Sequence, residues 1–115
     1  MCENKEFNIS VSFAINFLEL INSKDENIKK IVADKTTLEI VLLIYKYEIN
    51  KINIKSADKF LEENQINASR SKKIAVIRNL VQHKIINREV NKDDMRSKMI
   101  YLNKSIKDKL DKILK

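Results

Sequence analysis

Between residues 7 and 21 the chain is apolar at Phe7, Ile9, Val11, Phe13, Ala14, Ile15, Phe17, Leu18, Leu20 and Ile21, interrupted only by Asn8, Ser10, Ser12, Asn16 and Glu19. The first part alternates as a strand does, and the second recurs at i, i+3, i+4 and i+7, so the spacing predicts a helix over residues 10–22. Apolar side chains cover too much of its circumference for an ordinary surface helix. This points to one face packed on its own core and another on a second chain. A polar break at 23–27 precedes a short helical piece at 28–33. Asp34 or Thr36 then caps a central helix over 37–49, whose stripe is Leu38, Val41, Leu42, Tyr45 and Ile49. Tyr45 and Tyr47 read as packing and rim residues.

Asn53 is placed to cap a helix over 54–63, with Ile54, Ala57, Phe60 and Leu61 at helical spacing. After a polar turn at 64–67, a further helix starts with Asn67 or Ser69 as cap and turns Ile74, Ile77, Leu80 and Val81 inward. Two short amphipathic helices joined by about four residues have helix-turn-helix spacing. The β-branched run 85–90 can then pair with 98–102, where Met99 and Tyr101 alternate with Lys98, Ile100 and Leu102; the charged stretch 91–97 forms the tip. A last amphipathic helix over 105–115 carries Ile106, Leu110, Ile113 and Leu114. The expected class is α+β, mostly helical: a winged helix-turn-helix flanked by N- and C-terminal dimerisation helices. Within one domain, residues 1–50 supply core and dimerisation, 53–83 the helix-turn-helix, 84–103 the wing and 104–115 the final helix.

Composition narrows the chemistry. At 115 residues there is room for one core, and 18 isoleucines must carry most of its burial because aromatics are scarce. The abundance of Ile, Lys and Asn matches an AT-rich coding bias. Neither Gly nor Pro occurs, which excludes Gly-rich phosphate loops and dinucleotide fingerprints. The single Cys2 excludes an intrachain disulfide and a cysteine zinc cluster. The longest apolar run, residues 40–45, is far too short for a bilayer span, and the first six residues lack the basic cluster of a secretory leader. The expectation is a cytoplasmic, nucleoid-associated protein without cofactor, metal or membrane partner. The acidic pairs Glu62-Glu63 and Asp93-Asp94 need not converge, and His83 is the one imidazole, so no catalytic constellation is expected.

The net charge of +7 is uneven. Residues 1–50 hold 6 basic and 8 acidic side chains, whereas residues 51–115 hold 17 basic and 8 acidic. Within the second half, residues 67–104 carry 10 basic residues against Glu89, Asp93 and Asp94. Such an excess favours phosphate polymers through release of condensed counterions.

Residues 54–61 look like the first motif helix, and 80–88 like the end of a recognition helix plus first wing strand, of a known family. Asp94-Met95-Arg96 followed by Ile100-Tyr101-Leu102-Asn103 resembles the Asp-x-Arg wing and closing strand of MarR-type regulators, including the small SarA-like branch. The likeness covers about half the chain, residues 53–109. It implies a homodimeric, double-stranded-DNA-binding transcriptional regulator, a repressor, with one helix in the major groove and the wing arginine at the minor groove. The chain departs from the pattern at Lys84, where the family has Gly, so the helix-to-strand turn must be made differently. It departs again at Asn103, where Thr opens the last helix. It also stops about one helix short, which puts the dimer contacts on the 7–21 helix and the final helix, at Phe13, Phe17, Leu20, Ile106, Leu110 and Ile113.

An inward Ile74, Ile77 and Val81 turn Ser69, Arg70, Lys72, Lys73 and Val76 outward. Arg70 can then fork onto guanine, while Lys72 and Lys73 grip phosphates and Ser69 and Ser71 bond phosphates beside the helix N-terminus. Arg96 suits a narrow groove, because guanidinium sheds water readily and that groove concentrates negative potential, with Asp94 orienting it. Asn67, Arg88, Lys92 and Lys98 complete the expected DNA-facing set. The same layout suits a centromere-binding adaptor of a plasmid or phage partition system. A small helical protein-interaction module, such as an antirepressor with a basic docking face, is the reading outside DNA binding.

Overall fold

The computed structural model describes residues 2–90 and 98–114, with side chains from Val11 to Glu89 and from Met99 to Leu114. In chain order the elements are α1 (Cys2–Ile21), α2 (Glu26–Val32), α3 (Lys35–Ile49), α4 (Ala57–Glu63), α5 (Arg70–Gln82), β1 (Ile86–Val90), β2 (Lys98–Leu102) and α6 (Lys104–Leu114). The chain is therefore α+β and mostly helical. No helix among the described residues is long and apolar enough to cross a membrane.

Five helices begin at a short polar side chain that accepts from otherwise free first-turn amides. Asp25 accepts from the N–H groups of Asn27 and Ile28 at 3.0 and 3.1 Å, and Asp34 from Thr37 at 3.1 Å. Ser56 and Ser69 accept from Lys59 and Lys72 at 3.4 and 3.1 Å. Asn103 opens α6, its side chain accepting from the Ser105 amide at 2.9 Å. These caps correct several expected boundaries. Asp25 starts α2 at Glu26, ahead of Ile28, and Asp34 rather than Thr36 starts α3. Ser56 displaces Asn53 as the cap of α4, leaving Ile54 extended outside the helix. α1 runs back to Cys2, well before residue 10.

One apolar cluster joins all the elements: Leu20 of α1, Ile28 and Ile31 of α2, Ile40, Val41, Ile44 and Tyr45 of α3, Phe60 and Leu61 of α4, and Val76, Ile77 and Leu80 of α5. Ile86, Ile100 and Leu102 of the hairpin and Ile106 and Leu110 of α6 complete it, together with Ile54, Ile66 and Ile85 between elements. No polar or charged side chain is fully buried among the described residues. The α3 stripe is rotated from the expected one: Ile40 and Ile44 are enclosed, Leu38 and Leu42 only half-buried, and Ile49 is exposed. The reason is that α3 is covered on several sides at once, so a single narrow stripe understates its contacts. Tyr45 donates its hydroxyl to Asp111 at 2.6 Å, tying α3 to α6, and Tyr47 stands edge-on to Phe60 with ring centroids 5.3 Å apart.

β1 and β2 pair antiparallel, Ile86 opposite Leu102 and Arg88 opposite Ile100. The outer edge of β2 is also occupied. Ile100 donates its amide to the Ile54 carbonyl at 2.9 Å, and Leu102, two residues on and so on the same edge, donates to Glu48 Oε1 at 3.2 Å. Extended Ile54 and the α3 carboxylate together cover what would otherwise be an open strand edge. The Glu48 carboxyl is held above its ordinary value chiefly by burial, aided by Asp111 and opposed by the Leu102 amide and Lys107; its Oε2 is buried without a partner. Because the fold favours the protonated form, the cost of ionising it is absent below about pH 4.5 and grows as pH rises. Glu48→Gln is therefore expected to raise the urea midpoint at pH 7, with the gain shrinking to nothing as pH is lowered through 4.5. A gain independent of pH counts against this account.

Both α3 and α5 end in paired reversed bonds. Ile52 and Lys51 donate to the carbonyls of Tyr47 and Glu48, and Ile85 and Lys84 donate to those of Leu80 and Val81. This Schellman arrangement requires a left-handed residue after the cap, and Lys51 and Lys84 supply it at φ 58° and 60°. Lys84 thus makes the helix-to-strand turn with the backbone conformation glycine adopts most easily, so no different turn is needed. Left-handed geometry costs an L-residue about 1–2 kcal/mol, partly offset by the greater chain entropy glycine loses. Lys84→Gly is expected to raise stability by about 0.5–1 kcal/mol in chemical denaturation. A loss of stability contradicts this.

Candidate nucleic-acid interface

α4 meets α3 through Phe60 on Tyr47 and shares its Leu61 side with α5, and six residues, 64–69, carry the chain round to α5. Asn64 fixes that turn by donating its Nδ2 to the Tyr47 hydroxyl and to the Phe60 carbonyl, each at 2.9 Å. α5 contains no acidic residue. It buries Val76 (6% exposed), Ile77 and Leu80, whereas Ile74 is 36% exposed. This corrects the expected rotation, which had Ile74 inward and Val76 outward. Apolar residues at 74, 76, 77, 80 and 81 spread over about 160° at about 100° per residue, with Ile74 and Val76 at opposite edges of the arc, so periodicity alone left undetermined which edge is buried. Val76, packed beneath α3, settles it.

With that rotation the outward line of α5 is Ser71, Ala75, Arg78 and Gln82, all exposed. Arg78, Ala75 and Gln82 were not among the expected site residues. Arg70 and Lys72 lie on opposite flanks. Arg70 Nη2 is 3.5 Å from Asp58 Oδ1 of α4, and Lys72 Nζ is 3.4 Å from Asp34 Oδ1 at the start of α3. The Arg70–Asp58 pair is largely exposed and the Lys72–Asp34 pair less than half so, and both remain open enough to solvent to be weak, salt-screened contacts that a phosphate can displace. The Asp34 carboxyl sits below its ordinary value because the Thr37 hydroxyl donates to it at 2.8 Å, reinforced by the Thr37 amide and Lys72 against the effect of burial. Lys73 is half-buried in a cleft of about 440 Å³ with Leu61, Asn64 and Ile66, on the α4 side of the helix.

The Ser69 hydroxyl is occupied as the cap of α5, while Ser71 and Asn67 are exposed. Arg88 shares a face of β1 with Ile86; Ile86 enters the core and exposed Arg88 stands at its rim, lining a cleft of about 120 Å³ with Arg78, Asp58 and Ile77. Glu89, on the other face, accepts from the Tyr101 hydroxyl at 2.6 Å. His83 is the exposed C-cap of α5. Lys92, Asp94 and Arg96 lie outside the described residues, and of Lys98 only the backbone, paired with Val90, is described. Arg70 and Arg88 therefore both stand on the Asp58 side of α5, whereas Lys72 is drawn to its other side. No group of three or more metal-ligating side chains occurs among the described residues.

The expected dimer residues divide. Leu20, Ile106 and Leu110 are fully buried in this chain's own core, with α1 packed on α6, and have no area to offer a second copy. Phe17 packs partly against the same core and stacks with Phe13, ring centroids 6.4 Å apart; Phe13 itself is 64% exposed and Ile113 is half-buried. The side of α1 that faces solvent is instead Val11, Ala14, Ile15, Leu18 and Ile21, an apolar seam at i, i+3, i+4, i+7 and i+10. α1 thus has two apolar faces, as its sequence implied, and the core takes Leu20 and part of Phe17 while Phe13, a turn further out, stays exposed.

No family model matches the chain, and no curated protein is significantly similar to it in sequence.

Proposed function

We propose that this chain is a homodimeric winged-helix protein of MarR-like type that binds double-stranded DNA and regulates transcription as a repressor. The observation that carries the reading is α5. It follows α4 through a braced turn, is backed by the core along Val76, Ile77 and Leu80, bears no acid, and turns Ser71, Ala75, Arg78 and Gln82 outward between Arg70 and Arg88. A rigid helix with short side chains and one long arginine on its outer line enters a major groove without steric conflict. The β1–β2 hairpin directly after it is the wing, and the pairing of β2 with Ile54 and Glu48 fixes its base to the helical body.

The apolar seam of α1 supplies the dimer contact. A two-fold axis sets the same seam against itself, as self-complementary interfaces require, and presents two copies of α5 to two half-sites. The test is a titration of duplex DNA against the full chain at several salt concentrations. Affinity is expected to fall with a log–log slope of several units, about 0.9 for each phosphate contacted. Absence of binding at low salt overturns the reading and leaves a protein-interaction module. Binding to arrays of repeats rather than to a single operator converts it to a partition adaptor.

A further inference from the structure

The four arginines of the chain, Arg70, Arg78, Arg88 and Arg96, all fall within residues 70–96, and its other nineteen cations are lysines. Outside that stretch lysine alone is used. A pressure for solubility or for A-rich codons acts along the whole chain and does not sort the two cations by place. A requirement for guanidinium at one surface does.

The three described arginines come from two elements, Arg70 and Arg78 from α5 and Arg88 from β1. Arg78 and Arg88 line one cleft with Asp58, and Arg70 reaches the same Asp58 from the start of α5. Asp58 is within ion-pair distance of Arg70, and no carboxylate among the described residues lies within that distance of Arg78 or Arg88. Each guanidinium offers five donors in a rigid plane suited to two-point contact, whereas a lysine ammonium is a point charge. Arg78 holds the outer line of the helix; Arg70 and Arg88 stand at its flanks.

We propose that Arg70, Arg78 and Arg88 form a guanidinium-specific contact surface for duplex DNA, in which Arg78 forks onto O6 and N7 of a guanine while Arg70 and Arg88 each hold a backbone phosphate. This rests on the DNA-binding reading and adds the residue that carries base preference. Arg70, whose guanidinium is drawn sideways to Asp58, positions the helix on the backbone instead of reading sequence.

The test is charge-preserving. The full chain and its Arg78→Lys, Arg70→Lys and Arg88→Lys variants are each used to select from a randomised duplex library, and are then titrated on the sequence selected by the unaltered chain. Arg78→Lys is expected to lose preference for guanine at one position per half-site, by about tenfold or more, with an unchanged salt slope. Arg70→Lys and Arg88→Lys are expected to weaken all sequences alike and leave the selected pattern intact. All three side chains are exposed, and thermal unfolding matching the unaltered chain confirms that folding is untouched. If Arg78→Lys selects the same sequence with the same affinity, charge alone suffices and the proposal fails while DNA binding stands. If the unaltered chain binds no duplex at low salt, both readings fall.

Discussion

Phe60→Ala is expected to destabilise the protein by about 3–5 kcal/mol, a large share of the roughly 5–15 kcal/mol that holds a domain of this size folded. Phe60 is 2% exposed and is the largest of the fully enclosed side chains. It is the means by which α4 adheres to α3, through the edge-on contact with Tyr47. Truncation removes that area from the core and leaves a cavity. It also loosens the turn, because Asn64 bonds at once to the Phe60 carbonyl and the Tyr47 hydroxyl. α4 has seven residues and cannot persist as a helix without its packing. A melting temperature lower by about 10–30 °C is therefore expected, with Phe60→Leu falling between the two. A shift in the urea midpoint worth less than about 1 kcal/mol would show that α4 contributes little to the fold.

Which parts of this architecture were legible in the sequence follows from how many surfaces each element touches. The hairpin was read nearly to the residue, because two β-branched runs around a charged stretch admit one pairing and Ile86 opposite Leu102 places both in the core. α6 was equally clear as an amphipathic helix, with Ile106 and Leu110 enclosed and Ile113 and Leu114 packed beside them, although those side chains serve this chain's own core and not the expected dimer contact. α3 and α5 were found as helices but with their rotation displaced. Each packs against several neighbours, so apolar residues occur on more than one side and the strongest stripe is not the most buried one. Ile54 was assigned to α4 because it continues a helical spacing; its pairing with Ile100, forty-six positions away, is a tertiary fact with no local signature.

The candidate site was legible as a segment and only partly as a set of side chains. Charge pointed to residues 67–104, but it could not tell that Lys72 turns towards Asp34, or that the Ser69 hydroxyl is occupied as a cap. Arg78, placed at the groove by the proposal above, falls outside the expected set because the burial of Val76 in place of Ile74 turns it outward. The signal that would have singled it out was identity rather than charge: arginine in a chain that otherwise uses lysine. For α1 the sequence announced two apolar faces, but the face of Phe13, Phe17 and Leu20, expected to meet a second chain, is the one that carries the contact with the core. Leu20 decided it by meeting α2 and α6 at the helix's C-terminal end, bringing Phe17 with it.

That division makes α1 the place where association and folding can be separated. On the proposed two-fold dimer, Ile15→Asp combined with Leu18→Asp puts two carboxylates on each seam, facing identical charges across the axis in a setting that cannot solvate them. Ile15 and Leu18 are 51% and 55% exposed in the single chain, so its own core loses little. Circular dichroism is expected to be unchanged while sedimentation equilibrium shifts from dimer to monomer. DNA affinity is expected to fall by about 100-fold or more, since two tethered half-site contacts become independent ones. Phe17→Ala serves as the contrasting variant: it strips a side chain packed on the core, and is expected to lower the melting temperature while the folded fraction still associates. Should the seam variant remain dimeric, or the unaltered chain sediment as a monomer at micromolar concentration, the seam is not the dimer contact. Should the seam variant become monomeric yet bind DNA undiminished, each chain reads its site alone, and the paired arrangement of α5 plays no part in recognition.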